Sequence, residues 1–167
     1  MSNSLTDSIS GSNDSPNDSS SDISGAIKQP LFFYGTLKAA EIREAVLGYS
    51  VPDSQLEPAR LFGFQVRRVA GAFYPMLIEA AAEAVVEGVI MTVTSRQDLD
   101  RLDRFEGSDY RRVEASAIGA DGPRQIQIYQ PAPHLQAAEL WDFQRWYETD
   151  LDNFLVQDFD LDGVRRP

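Results

Sequence analysis

The sequence predicts an α+β fold: a small, mixed, mostly closed β-barrel flanked by helices, with a long C-terminal helix and a disordered N-terminal tail. Three observations predict it. Strand-like segments dominate and the helical ones are scattered among them, which is not the regular alternation of a doubly wound sheet. The segment Val85–Val93 is apolar on nearly both faces, as a strand is when its sheet is covered on both sides or closed on itself. The chain from Met1 to about Gly25 is almost entirely Ser, Asn, Asp and Gly, with too few apolar residues to offset the entropy of ordering. These divisions place a tail over residues 1–29, a core domain over 30–134 and a helical extension over 135–167.

The elements follow in order. Leu31-Phe32-Phe33-Tyr34 is a short aromatic-rich run that reads as a buried strand. Gly35-Thr36-Leu37-Lys38 breaks it, and Ala39 to Leu47 reads as a short helix stopped by Gly48. Strand-like segments follow at Ala59–Phe64, Gln65–Val69, Tyr74–Glu79 and Val85–Val93. Gly88, in the middle of the last, marks either a bulge or a close approach to the backbone. Ser95 reads as the N-cap of a helix that runs to about Glu106 and ends at Gly107. Two more strands fit Tyr110–Ile118 and Gln125–Gln130, joined at the hairpin signal Asp121-Gly122. From Ala137 to Asp158, Leu140, Phe143, Trp146, Tyr147, Leu151, Phe154 and Leu155 recur at helical spacing, which predicts one long amphipathic helix.

Composition excludes several functions. A net charge of -11 and a pI near 4.4 argue against a nucleic-acid or anionic-membrane partner, since those need clustered Lys and Arg. Without cysteine there is no disulfide, thiolate metal site or Cys nucleophile. The lone His134, near Pro131 and Pro133, reads as an exposed loop residue and cannot build a multi-histidine metal site. Neither a membrane span nor a secretory leader is visible, so a cytoplasmic location is expected. The acidic series Asp158, Asp160, Asp162 before Gly163 imitates half of a calcium loop but lacks the glutamate at its twelfth position.

Two features could carry chemistry. Glu106 lies seven residues past Leu99 and four past Leu102, on the apolar face of its helix. Burial and the negative end of the helix dipole would both raise its pKa towards that of a base working near neutrality. On periodicity alone, a frayed helix end with Glu106 in water fits as well. The second feature is the turn after the first strand, where Gly35 and the following helix start would gather main-chain N–H groups around a concave, anion-attracting site. An ordinary strand-to-helix turn has the same local sequence.

Together the two are more specific. Phe33-Tyr34-Gly35-Thr36-Leu37-Lys38, then Leu102-Asp103-Arg104-Phe105-Glu106-Gly107 and Tyr110-Arg111-Arg112, resembles the γ-glutamylcyclotransferase family, in particular the branch of γ-glutamylamine cyclotransferases and AIG2-like proteins. Tyr74-Pro75-Met76-Leu77, Val86-Glu87-Gly88-Val89 and Ile126-Gln127-Ile128-Tyr129 fit the same pattern in the same order. The resemblance covers about Leu31 to Pro131, and the C-terminal segment resembles extensions seen on AIG2-like members.

The resemblance implies that main-chain N–H groups of Tyr34, Gly35, Thr36 and Leu37 hold a substrate carboxylate and that Glu106 is the catalytic base. The implied reaction closes a γ-glutamyl amine or peptide into 5-oxoproline, with no metal or other cofactor. The implied partner is a small γ-glutamyl substrate; the oligomeric state is left open. Tyr74, Tyr110 and Tyr129 are candidate pocket walls, with barrel packing the competing reading. Arg112 would pair either with a substrate carboxylate or with a structural one. A non-catalytic AIG2-like binding module and an acyltransferase acting on another γ-glutamyl compound are the alternatives to the cyclising enzyme.

Overall fold

The computed structural model describes residues 26–159. The expected tail falls outside these up to residue 25; of its last residues, Ile27 already packs on the core and Gln29 opens the first strand. Asp160, Asp162 and Gly163 of the acidic series also fall outside.

The strands are β1 (Gln29–Phe33), β2 (Leu56–Phe62), β3 (Phe64–Val69), β4 (Pro75–Glu79), β5 (Val85–Val93), β6 (Tyr110–Gly119), β7 (Gly122–Pro131) and β8 (Ala137–Leu140). The helices are α1 (Ala40–Leu47), α2 (Arg96–Glu106), α3 (Phe143–Thr149) and α4 (Leu151–Gln157). A barrel closes in the order β1-β5-β2-β6-β7, and β4-β3-β8 form a second sheet. The closing contact of β7 with β1 is parallel, at Leu31 opposite Gln127, and the other barrel pairings are antiparallel. The barrel is therefore mixed, as expected.

Alternation along β1 builds two cores from one strand. Phe32 and Tyr34 pack with Leu61, Ile90, Ile126 and Ile128. Leu31 and Phe33 pack with Leu47, Leu102, Phe105, Trp146 and Phe154, beneath the helices. Gly88 is a close approach and not a bulge: its pairing with Ala59 is regular, and a methyl there would lie 2.4 Å from the Phe33 carbonyl oxygen and 2.5 Å from the Phe32 ring. In the β6–β7 hairpin Gly119 pairs with Gly122, so the turn is Ala120-Asp121 and Gly122, at φ 109°, follows it.

The single long C-terminal helix does not form. Ala137–Leu140 adds to the edge of β3, where Val69 and Arg67 supply a ladder that outweighs the helix propensity of Ala, Glu and Leu. The Asp142 carboxylate then accepts the Arg145 N–H at 2.7 Å and starts α3, and Asp150 separates α3 from α4. The apolar stripe is realised in part: Trp146 and Phe154 are buried, whereas Leu140 is 64% exposed. Asp158 accepts the Phe73 N–H at 2.8 Å, which ties this segment to the core. His134 is exposed and sits 3.0 Å from Asp109.

Candidate active site

Helix α2 is shaped by its ends. The Ser95 hydroxyl accepts the Asp98 N–H at 3.3 Å, and Leu99, Leu102 and Phe105 turn a continuous apolar face inward. The helix keeps its geometry through Glu106. Gly107, at φ 69° and ψ -167°, then occupies a backbone region that essentially only glycine adopts. Because the last turn holds, Glu106 stays on the inward face and is only 8% exposed. The frayed-end alternative is not what the chain does.

At the end of β1, Tyr34 is buried and its hydroxyl donates to the Tyr129 carbonyl at 2.7 Å, bracing one barrel strand against another. The chain then winds through a tight turn at Thr36–Lys38, where the N–H groups of Lys38 and Ala39 bond the carbonyls of Gly35 and Thr36. Arg43, itself buried, donates to the carbonyls of Leu37 at 2.8 Å and Lys38 at 2.6 Å. Burial lowers its pKa, opposed by the charges of Asp53 and Glu41. Gly35 has a packing reason as well: a methyl there would lie 2.5 Å from Cγ of Pro75.

These two structures meet in one cavity. Its wall is formed by Phe32 to Leu37, Pro75, Glu106 and Tyr129. It contains about 290 Å³ of empty space counted to its mouth, and it is narrow: water centres can occupy only about 20 Å³ of it. Of the residues expected at the site, Tyr34, Gly35, Thr36, Leu37, Glu106 and Tyr129 come together here.

Tyr74 and Tyr110 do not line this cavity; they stand behind its Pro75 wall. The Tyr110 hydroxyl donates to the Pro75 carbonyl at 2.7 Å, and the Tyr74 ring meets that of Tyr110 edge-on at 6.5 Å. The Tyr129 hydroxyl donates to Asp103 at 2.9 Å. Burial, then the charges of Glu106 and Asp103, raise its pKa far above the ordinary value, with Arg112 opposing. The influence of Glu106 on Tyr129 is consistent with their shared wall. Arg112 takes the structural role: it grips Asp103 through two bonds of 2.7 and 3.1 Å and reaches Gln127 at 2.6 Å.

The sequence reading missed Pro75, Asp103 and Arg43. Pro75 was visible only as part of a motif. Asp103 sits three residues before Glu106, one helical turn back, and that spacing was the available signal. Nothing in the sequence shows that Arg43 turns back onto the loop carbonyls. Among the described residues, no group of three or more His, Asp or Glu is arranged to hold a metal ion.

Comparison with known proteins agrees with this architecture. The family model described as "Gamma-glutamyl cyclotransferase, AIG2-like" matches residues 31–148. "Protein AIG2 B" of Arabidopsis thaliana is 29% identical over 136 residues, covering 78% of this chain and 77% of that protein. A solution structure of an Arabidopsis thaliana protein superposes with a TM-score of 0.58 at 23% identity, over 78% of this chain and 79% of the other. A structure titled "Gamma-glutamyl cyclotransferase" does so at 0.55 and 15% identity, over 84% and 90%. At those identities the structures establish the shared fold.

Proposed function

The chain belongs to the AIG2-like γ-glutamyl cyclotransferase family, and from that premise we propose that it releases 5-oxoproline from a γ-glutamyl amine or peptide, with Glu106 as general base. The observation that carries the reading is the placement of a buried carboxylate and the Tyr34–Leu37 turn in the wall of one narrow cavity.

The chemistry follows from those parts. The substrate carries an α-ammonium and a γ-amide in one molecule, so ring closure needs a pose and a base and no second reactant. Main-chain N–H groups of the turn hold the α-carboxylate. A carboxylate with little access to water, at the negative end of a helix, is a better base than an exposed one. Glu106 takes a proton from the α-ammonium, and the freed amine attacks the γ-carbonyl carbon. The new C–N bond closes a five-membered ring. As the old C–N bond breaks, the departing nitrogen receives the proton from the Glu106 carboxyl; the regenerated carboxylate takes the second proton from the ring nitrogen and passes it to the released amine. The products are 5-oxoproline and a free amine.

The test is to incubate the protein with a panel of γ-glutamyl amines and γ-glutamyl dipeptides and to quantify 5-oxoproline and free glutamate together. Release of 5-oxoproline in equal amount with the leaving amine is expected. Free glutamate in its place would mean hydrolysis, and no product from any of the panel would remove the enzyme reading.

A further inference from the structure

Arg43 is an expensive residue for its position. It is 4% exposed, and among the described residues no carboxylate lies within ion-pair distance of it. Its Nε is buried without a hydrogen-bond partner. It also stands fourth in α1, near the positive end of the helix dipole, where a cation is unfavourable. A buried charge without a counter-ion is a cost to folding, so stability alone does not account for it. What the guanidinium does hold is two carbonyls of the turn after β1, those of Leu37 and Lys38, both through Nη1.

Those two bonds lead into the pocket. A peptide unit is planar, with its C=O and N–H pointing in opposite directions, so a charge held at one end polarises and aims the other. The unit whose carbonyl is Leu37's carries the Lys38 N–H, which donates to the Gly35 carbonyl at 3.0 Å. The Gly35 unit carries the Thr36 N–H. In parallel, the unit whose carbonyl is Lys38's carries the Ala39 N–H, which donates to the Thr36 carbonyl at 3.0 Å. The Thr36 unit carries the Leu37 N–H. Among the described residues nothing accepts from the Thr36 or the Leu37 N–H, and both residues line the cavity of Glu106. Each chain thus starts on one guanidinium nitrogen and ends on an unfilled donor at the pocket wall.

We propose that Arg43 is a positioning residue: from behind the turn it fixes and polarises the two N–H groups, of Thr36 and Leu37, that receive the α-carboxylate. The proposal rests on the cyclotransferase reading of that pocket. Arg43 does not line the cavity and touches no substrate atom in this account. The substrate's carboxylate supplies, across two peptide units, the negative charge that the guanidinium lacks inside the protein.

The test compares 5-oxoproline with 5-oxoprolinamide, in which a neutral carboxamide replaces the carboxylate, by NMR titration of the full chain labelled with nitrogen-15. In the wild type the Thr36 and Leu37 amide signals should move downfield with the acid and less with the amide, and the acid should bind more tightly. Arg43→Met should reduce that preference about tenfold, the attraction between unit charges roughly 10 Å apart at an effective dielectric of about 20. Arg43→Lys should keep most of it, because one nitrogen makes both bonds and an ammonium has three donors. Lost packing alone would weaken acid and amide equally and leave the preference unchanged. A preference that survives Arg43→Met, or one lost as fully in Arg43→Lys, overturns the proposal. So do wild-type Thr36 and Leu37 signals that the acid leaves unmoved, a result that needs no variant to fold. If the wild type releases 5-oxoproline from γ-glutamyl amines yet binds neither compound at millimolar concentration, the role of Arg43 fails alone. If it also releases none, the cyclotransferase reading fails and takes this role with it.

Discussion

Replacing Gly35 by alanine tests whether the pocket's shape is set by a single contact. The new methyl would sit 2.5 Å from Cγ and 3.3 Å from Cδ of Pro75, whereas ordinary contact begins near 3.4 Å, so ring and turn must separate by about 0.9 Å. Pro75 cannot retreat freely. It is buried in β4, and its carbonyl is held by the Tyr110 hydroxyl at 2.7 Å. Overpacking of this kind costs about 1–3 kcal/mol. A shift near 1 Å in groups that position a substrate costs about 100-fold in rate. Gly35→Ala should therefore lower the urea midpoint by an amount worth about 1–3 kcal/mol. Its kcat/KM for 5-oxoproline release should fall by about two orders of magnitude. Both are measured on the same preparation, so that loss of folded protein is not mistaken for loss of chemistry. A variant with wild-type turnover and a wild-type midpoint would refute the reasoning, because the Pro75 contact would then set neither the wall nor the turn.

Other perturbations probe other parts. Phe154 is fully buried and packs on Trp146 and Phe159 at 5.6 and 5.8 Å, so Phe154→Ala should cost about 3–5 kcal/mol in chemical denaturation. A loss under 1 kcal/mol would show that the C-terminal segment is peripheral. Asp103→Asn removes the charge that Arg112 grips and Tyr129 bonds; at this partly exposed pair it should cost about 1 kcal/mol. Through the loosened Tyr129 wall it should also lower kcat/KM by about tenfold, an effect of one hydrogen bond to a charged group; unchanged kinetics would separate Tyr129 from the site. The Arg68 guanidinium, and then the backbone N–H of Glu139 itself, hold the Glu139 carboxyl down at about 2. A depressed folded pKa means that this link between β3 and β8 contributes fully above the ordinary value of 4.5 and is lost as pH falls towards 2. Carboxyl NMR titration should find that midpoint, and Arg68→Ala should return it towards the ordinary value.

Much of the architecture was legible because local signals and tertiary structure agreed. Val85–Val93 became β5 at those bounds, Gly48 took the left-handed conformation that ends α1, and the Ser95 cap and the Leu99–Leu102 spacing located α2 and turned Glu106 inward. The C-terminal helix failed for an instructive reason. Ala137–Leu140 favours helix in isolation, and only the open edge of β3, far away in sequence, draws it into a ladder. The tyrosines show the same limit within the site. Periodicity can place Tyr74, Tyr110 and Tyr129 on inward faces, but which of them faces the cavity depends on Pro75 standing between two of them and it. The trough between Lys38 and Trp141–Phe143 was not legible at all, since it joins Lys38 to a segment more than a hundred residues later through a strand that was read as helix.

The central claim is that Glu106 moves the proton. Glu106→Gln keeps the size of the side chain and removes its basicity, so the decisive measurement is 5-oxoproline release by wild type and this variant at matched concentration, with the unfolding midpoint of each determined alongside. If Glu106 is the base, release should fall by at least about 100-fold while the variant still unfolds cooperatively as a folded protein. Equal rates from the two folded proteins would contradict it.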